Sequence, residues 1–264
     1  MATATVTTVP TINGFHVPLT RDDMKLANVL CNKLPRMNSD MDPDQEHIKN
    51  LSAIIAQHQM AGKFATVLLH KHENTPAGQV KLEVELKTMP DKLIKPILAE
   101  IVDSSKLDAT LKAMTGKWMR PIQLDSLDLR NVHGIVFKLN TDENCLAPFE
   151  FAEGPVPLSK DDNTLANFIN VFVNYVKRHN LADVFGLQYL GLIDGDGQYI
   201  SRTAEFELGK EGTIVLPTSV LKDVELVSTS WHGASEPTEG EPPAGESWAK
   251  RVVGGVETHK VFYS

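Results

Sequence analysis

Two histidines one residue apart pose the first chemical question. In the segment Phe64 to His72, His70 and His72 hold alternate positions, and alternate residues of a strand project from the same side. A second segment, Gln79 to Lys87, alternates Val80, Leu82, Val84 and Leu86 with Lys81, Glu83, Glu85 and Lys87. The Pro- and Gly-containing stretch Glu73 to Gly78 between them predicts a β-hairpin with a longer loop. If Val67 and Leu69 share the apolar face with Val80, Leu82 and Val84, then His70 and His72 meet Glu83 and Glu85 on the other.

Two imidazoles and one carboxylate with an open position are the ligand set of several catalytic zinc and non-haem iron centres. His70, His72 and Glu83 are therefore candidate ligands for a divalent transition metal such as zinc or iron. Without a metal, the same histidines form a candidate general acid and base, oriented by Glu85. A register slip of one residue moves both histidines to the apolar side and leaves them as hydrogen-bonded histidines near a loop. His232, between Trp231 and Gly233, is a third candidate catalytic residue at the edge of a loop that can open and close. His133 is available as well, although nothing in the sequence places it near the first hairpin.

A cysteine nucleophile needs a base within about 3 Å. Cys145 and His133 are the obvious pair, but with Leu139 opposite Cys145, His133 stands roughly 20 Å further along the strand at about 3.3 Å per residue. Cys145 reads as a plain thiol near a turn, and Cys31 as a small buried hydrophobe on a helix stripe. Phosphate-loop, dinucleotide-binding, nucleophile-elbow and His-Glu-x-x-His motifs are missing from the chain. Asp194 to Gly197 reads as a turn, because the first and twelfth positions of a calcium loop would be Leu192 and Thr203.

These candidates need elements to hold them. A helix starts at Thr20 as N-cap, with Ala27, Leu30, Cys31 and Leu34 at helical spacing, and stops at Pro35. A second opens with Asp42 as N-cap, carries Ile48, Leu51 and Ile55, continues its stripe into His58 and closes at Gly62. From Pro90 the pattern is helical, with a kink or break expected at Pro96. A short helix from Lys106 to Met114 follows, with Ser105 and Asp108 in capping-box positions. Trp118 to Leu129 is ambiguous between strand and loop. Val132 to Leu139 and Cys145 to Ala152 predict a second hairpin, and Gly186 to Ile193 with Gln198 to Leu208 a third. The clearest helix runs from Lys160 to His179, capped by Ser159 and Asp162. Thr213 to Leu216 and Val224 to Trp231 read as further strands.

The fold class is therefore α+β: a mainly antiparallel sheet built from hairpins and packed against several helices. A flexible tail over 1–18 precedes a single domain over 19–264, which carries a mobile acidic loop at 233–246. The 264 residues are 42% hydrophobic and 23% charged, an ordinary globular composition. A net charge of −8 without a run of Lys and Arg argues against nucleic acid. No apolar stretch nears the roughly 20 residues that span a bilayer. Two cysteines and no secretory leader pattern point to the cytoplasm. The expectation is an intracellular enzyme acting on a small organic molecule through a His/carboxylate site on a β-hairpin. The alternative is a noncatalytic protein that binds a small ligand or a partner.

Overall fold

The computed structural model describes residues 12–36, 43–71, 73–114, 116–157, 163–190, 203–222, 227–232 and 246–249. The chain runs through α1 (Arg21–Lys33), α2 (Gln45–Gln57), β1 (Phe64–Leu68), β2 (Gln79–Glu85), α3 (Asp91–Ile101), α4 (Leu107–Ala113) and β3 (Lys117–Gln123). It continues through β4 (Val132–Asn140), β5 (Cys145–Glu153), α5 (Asn163–Arg178) and β6 (Phe185–Tyr189). It ends in β7 (Thr203–Glu207), β8 (Thr213–Pro217), β9 (Val227–His232) and β10 (Glu246–Ala249). Among the described residues no helix is long and apolar enough to cross a membrane.

The strands form one closed barrel in the order β1, β6, β4, β5, β2, β3, β8, β7, β10, β9, and β9 returns to β1. Pairing is antiparallel except for β2 with β5 and β10 with β7, so the mixed α+β class and the predominance of antiparallel neighbours hold. The hairpin scheme does not hold throughout. β4 and β5 pair as expected, with Asn140 opposite Cys145. β1 and β2, however, are not neighbours: β1 lies between β6 and β9, and β2 between β5 and β3. β6 pairs with β1 and β4, and β7 with β8 and β10, so the third hairpin is replaced as well. Local alternation specifies a strand and its two faces, but not which distant strand satisfies its backbone groups.

Helix signals fared better. Thr20 caps α1 in a full capping box with Asp23, and the helix ends at Leu34 before Pro35. α2 starts two residues later than expected, because the Asp44 carboxylate accepts from the Glu46 N–H and takes over the cap. α3 runs unbroken through Pro96. The proline is exposed and falls in the second turn, so its ring faces solvent and the carbonyl it frees, that of Lys92, can be met by water. Ser105 does not cap α4; its N–H and hydroxyl both donate to Asp103 instead. The described part of the supposed tail is packed: Phe15 is 1% exposed and, with Ile12, lies in the core.

Two apolar clusters dress the strands. In the first, Leu82, Phe151, Phe206 and Ile214 are buried with Met24 and Ala27 of α1 and Ile94 and Leu98 of α3. In the second, Phe64, Phe137 and Leu187 are buried with Leu51 and Ile55 of α2, Phe168 and Phe172 of α5, and Phe15. α1 lies against β5 and β2, and α2 against β1, β9 and α5.

Phe151, fully buried in the first cluster, should be costly to truncate. Phe151→Ala is expected to lower the urea-unfolding free energy by about 3–5 kcal/mol, whereas Val171→Ala, on the exposed face of α5, should change it by less than about 0.5 kcal/mol. Equal effects of the two substitutions would contradict this packing.

Candidate functional site

Strand alternation that sends Leu82 to the apolar cluster sends Lys81 and Glu83 the other way. Register extends that second face across the sheet. Glu83 stands opposite Met119 of β3 and Ala152 of β5, and Ala152 stands opposite His133 of β4. Lys81 stands opposite Glu150 of β5, while Val215 of β8 stands opposite Lys117 of β3 and Glu205 of β7. Glu83, Met119, His133, Glu150, Glu205 and Val215, from six strands, all line one pocket of about 340 Å³. A face can do that only where the sheet is concave toward it.

Electrostatics agree with that curvature. Glu205 acts on both Lys81 and Glu150, although four strand intervals separate β7 from β5 around the wall. The corner at β4 and β5 coincides with register shifts at Gly134, Val136 and Phe137, and such bulges bend a strand and increase its twist. This charged face is therefore the lining of the barrel lumen.

Inside the lumen the charges are partly paired. Lys81 Nζ is 3.4 Å from Glu150 Oε1, with side-chain exposures of 10% and 17%. Lys117 Nζ is 3.1 Å from a Glu83 carboxylate oxygen. Burial opposes the charge on Lys81, but Cys31, Glu150 and Glu205 together hold its ammonium above the ordinary lysine range. Burial pushes the Glu150 carboxyl above the usual carboxylate range; Lys81 opposes this, and Glu205 and Glu83 add to it.

His133 is the chemically versatile member. Burial lowers its pKa below the ordinary 6.5, against the opposing effects of its hydrogen bond to Gly154 and of the Glu83 charge. Its Nδ1–H donates to the Gly154 carbonyl at 3.3 Å, which leaves Nε2 as the acceptor of a neutral imidazole. Ala152, between His133 and Glu83 in the register, interposes only a methyl group. At the pocket wall, Tyr189 sets its ring edge-on to His133 with centroids 6.3 Å apart. The Tyr189 hydroxyl and the Thr203 hydroxyl, both from pocket-lining residues, are buried without a hydrogen-bond partner among the described residues.

The sequence-derived candidates fall differently. Glu83 is in the lumen. Glu85 is exposed and pairs with Lys87. His70 is half-buried two residues past β1, and its Nδ1–H donates to the Leu68 carbonyl at 2.8 Å. β6, β4 and β5 separate its strand from that of Glu83, so the His70, His72 and Glu83 ligand set is not assembled by a shared hairpin. His72, Asp194 to Gly197 and residues 233–245 lie outside the described residues. His232 closes β9, where its backbone stands opposite Ala65. Among the described residues, no three His, Cys, Asp or Glu side chains group closely enough to hold a metal ion.

Cys31 is buried, as its helix stripe implied. Cys145 pairs with Asn140 and His133 with Ala152, which keeps that thiol and imidazole at opposite ends of their hairpin. Lys81, Glu150 and Glu205 of this face were not among the sequence-derived candidates, whereas His133 was one that nothing local placed. A signal existed for Glu150: a charge inside the run Cys145 to Ala152, flanked by Phe149 and Phe151, is costly unless it faces a partner or a cavity.

Searches against protein-family models, curated proteins and solved structures found no match for this chain, so its chemistry is argued from its own side chains.

The lowered His133 pKa makes a signed prediction. The unfolded state takes up its proton near pH 6.5 and the folded state only at lower pH. This site therefore contributes stability above pH 6.5 that is lost as pH falls through the folded value. Between about pH 7 and 5, unfolding free energy should fall more steeply for the wild type than for His133→Gln; identical slopes would refute a buried neutral imidazole.

Proposed function

We propose that this protein binds a small organic molecule in the barrel lumen and acts on it by acid–base chemistry through His133 and a lumen carboxylate. One observation carries the reading: side chains from neighbouring strands converge on a single concave pocket that holds a neutral imidazole beside glutamates. About 340 Å³ falls at the lower end of the range for small-molecule sites. A neutral imidazole with a free Nε2 can accept a proton near neutral pH. Glu150, held above the usual carboxylate range, is the group best placed to return one, and Glu83 stabilises the imidazolium formed in between.

A second reading, binding without turnover, is favoured by a different observation. The hydrogen bond of His133 goes to a backbone carbonyl, and Glu83 is engaged by Lys117. Neither group is thereby set up as a tight acid–base dyad.

Filling the lumen separates both readings from an unrelated role. Val215→Trp places an indole among Lys117, Glu205 and the facing wall. In a ligand screen by saturation-transfer NMR, compounds that bind the wild type should bind this variant at least tenfold more weakly, with the circular dichroism spectrum preserved. His133→Gln should abolish turnover of a bound compound while changing its affinity less than about threefold; unchanged turnover leaves only the binding reading. Ligands indifferent to both substitutions would overturn the lumen as the site.

A further inference from the structure

Outside the barrel, where α2 packs on α5, three ring side chains form a second group with ligand chemistry. His47 sits in the first turn of α2. Tyr175 lies in the last turn of α5, and His179 follows that helix with its N–H still donating to the Tyr175 carbonyl at 3.2 Å, a spacing that sets the two side chains on one helix face. His47 lies beside His179, while His58, which closes α2, lies beside Phe168. The helices therefore run antiparallel, and the three rings meet at one end of their contact. Ile48 and Val176, next in sequence to His47 and Tyr175, are buried in the same core cluster and anchor both helix ends.

The centres of the two imidazoles are 5.1 Å apart. A bond of about 2.0–2.1 Å from an imidazole nitrogen to zinc sets the ion about 3.2 Å from each ring centre, and a tetrahedral angle at the ion then puts the two centres about 5.2 Å apart. The rings already stand at the separation that one shared ion requires. Tyr175 holds them there: its hydroxyl is 2.9 Å from His47 Nδ1, and its ring lies over His179 with centres 4.4 Å apart and planes 31° from parallel. With Nδ1–H donating to that hydroxyl, His47 keeps its lone pair on Nε2, and a partner of this kind is what orients a metal-bound imidazole. His179 is exposed and His47 half-buried, so an ion reaches them from solvent. Lys177 turns its ammonium to the Asn144 side-chain oxygen at 2.6 Å, in the turn between β4 and β5.

We propose that His47 and His179 form a two-imidazole site for a divalent transition-metal ion on the outside of the barrel, with Tyr175 as the positioning residue. Two protein ligands leave the remaining coordination positions to water, so the site takes up and releases its ion, and it ties α2 to α5 while the ion is bound. Imidazole suits zinc, nickel and copper, whereas magnesium and calcium take oxygen ligands. Copper(II) should bind more tightly than zinc, in the usual order for nitrogen ligands. The site is separate from the lumen and stands or falls independently of the reading given to it.

The test is calorimetric titration of the full chain with the chlorides of copper(II), zinc and magnesium. Copper(II) should bind about tenfold or more tightly than zinc, and magnesium should not bind. His47→Gln and His179→Gln should each weaken zinc about tenfold or more, and the double variant should be weaker than either by no more than about threefold, because a shared ion is lost with its first ligand. His58→Gln, at the far end of α2, should leave zinc affinity unchanged. Tyr175→Phe, which keeps the ring and removes the hydroxyl, should weaken zinc about tenfold. Should a histidine variant fail to fold, the wild type still decides: substoichiometric copper(II) should broaden the NMR amide signals of residues 46–48 and 175–180 before any others. Unchanged zinc affinity in both histidine variants, losses that add in the double variant, first broadening centred elsewhere, such as on His70, or no binding of either transition metal would each overturn the site. Weakening by both histidine variants but not by Tyr175→Phe would overturn the positioning role of Tyr175 and leave the two-histidine site standing.

Discussion

Every strand has two faces, and in this barrel the apolar one is already committed to helices. Leu82, Phe151, Phe206 and Ile214 lie buried with residues of α1 and α3, so Lys81, Glu83, Glu150 and Glu205 must occupy the opposite face. Because the sheet closes on itself, that face becomes an interior. Many small barrels fill such a space with apolar side chains; this one places charges there. A buried ion pair repays its desolvation only with excellent geometry, and the 3.4 Å contact between Lys81 and Glu150 falls short of that. Stability alone gives no reason for the arrangement, whereas a lumen that receives a polar guest does.

The same constraint gives the site its chemistry. His133 and Glu83 come from strands two apart in the wall, and the small Ala152 between them keeps the space over the sheet open. Burial keeps the imidazole neutral and pushes Glu150 toward its protonated form, so neighbouring groups are drawn toward opposite proton-transfer roles. The second apolar cluster, with α2, α5 and the Ile12 to Phe15 segment, packs behind β1, β6 and β4. It supports the wall that carries His133 and Tyr189.

Much of this was legible in the sequence, and the failures share one cause. Helix starts and stops at Thr20, Pro35 and the α5 stripe are local events, decided within a turn or two of chain, and they were read closely. The alternation of β2 and the division of its faces between Leu82 and Glu83 were legible locally. Its neighbours were not, because strand partners are chosen by the closure of the whole barrel: β2 skips β1 and pairs with β3 across two helices. The hairpin pattern sets His70 beside Glu83 and Glu85, whose strand lies elsewhere in the barrel, and nothing local places His133 beside Glu83. The charged face of β2 reads as solvent-facing in one dimension, and only the curvature of the sheet turns it inward.

That curvature is the central claim, and paired cysteines at positions 150 and 205 test it directly. In a flat sheet the four strand intervals between them would span roughly 19 Å. In the closed lumen, where Glu205 acts directly on Glu150, a bifunctional thiol reagent much shorter than that should join the two cysteines in high yield in the folded protein. Reaction only with reagents long enough to bridge the flat-sheet distance would contradict the closed lumen, and with it the site described here.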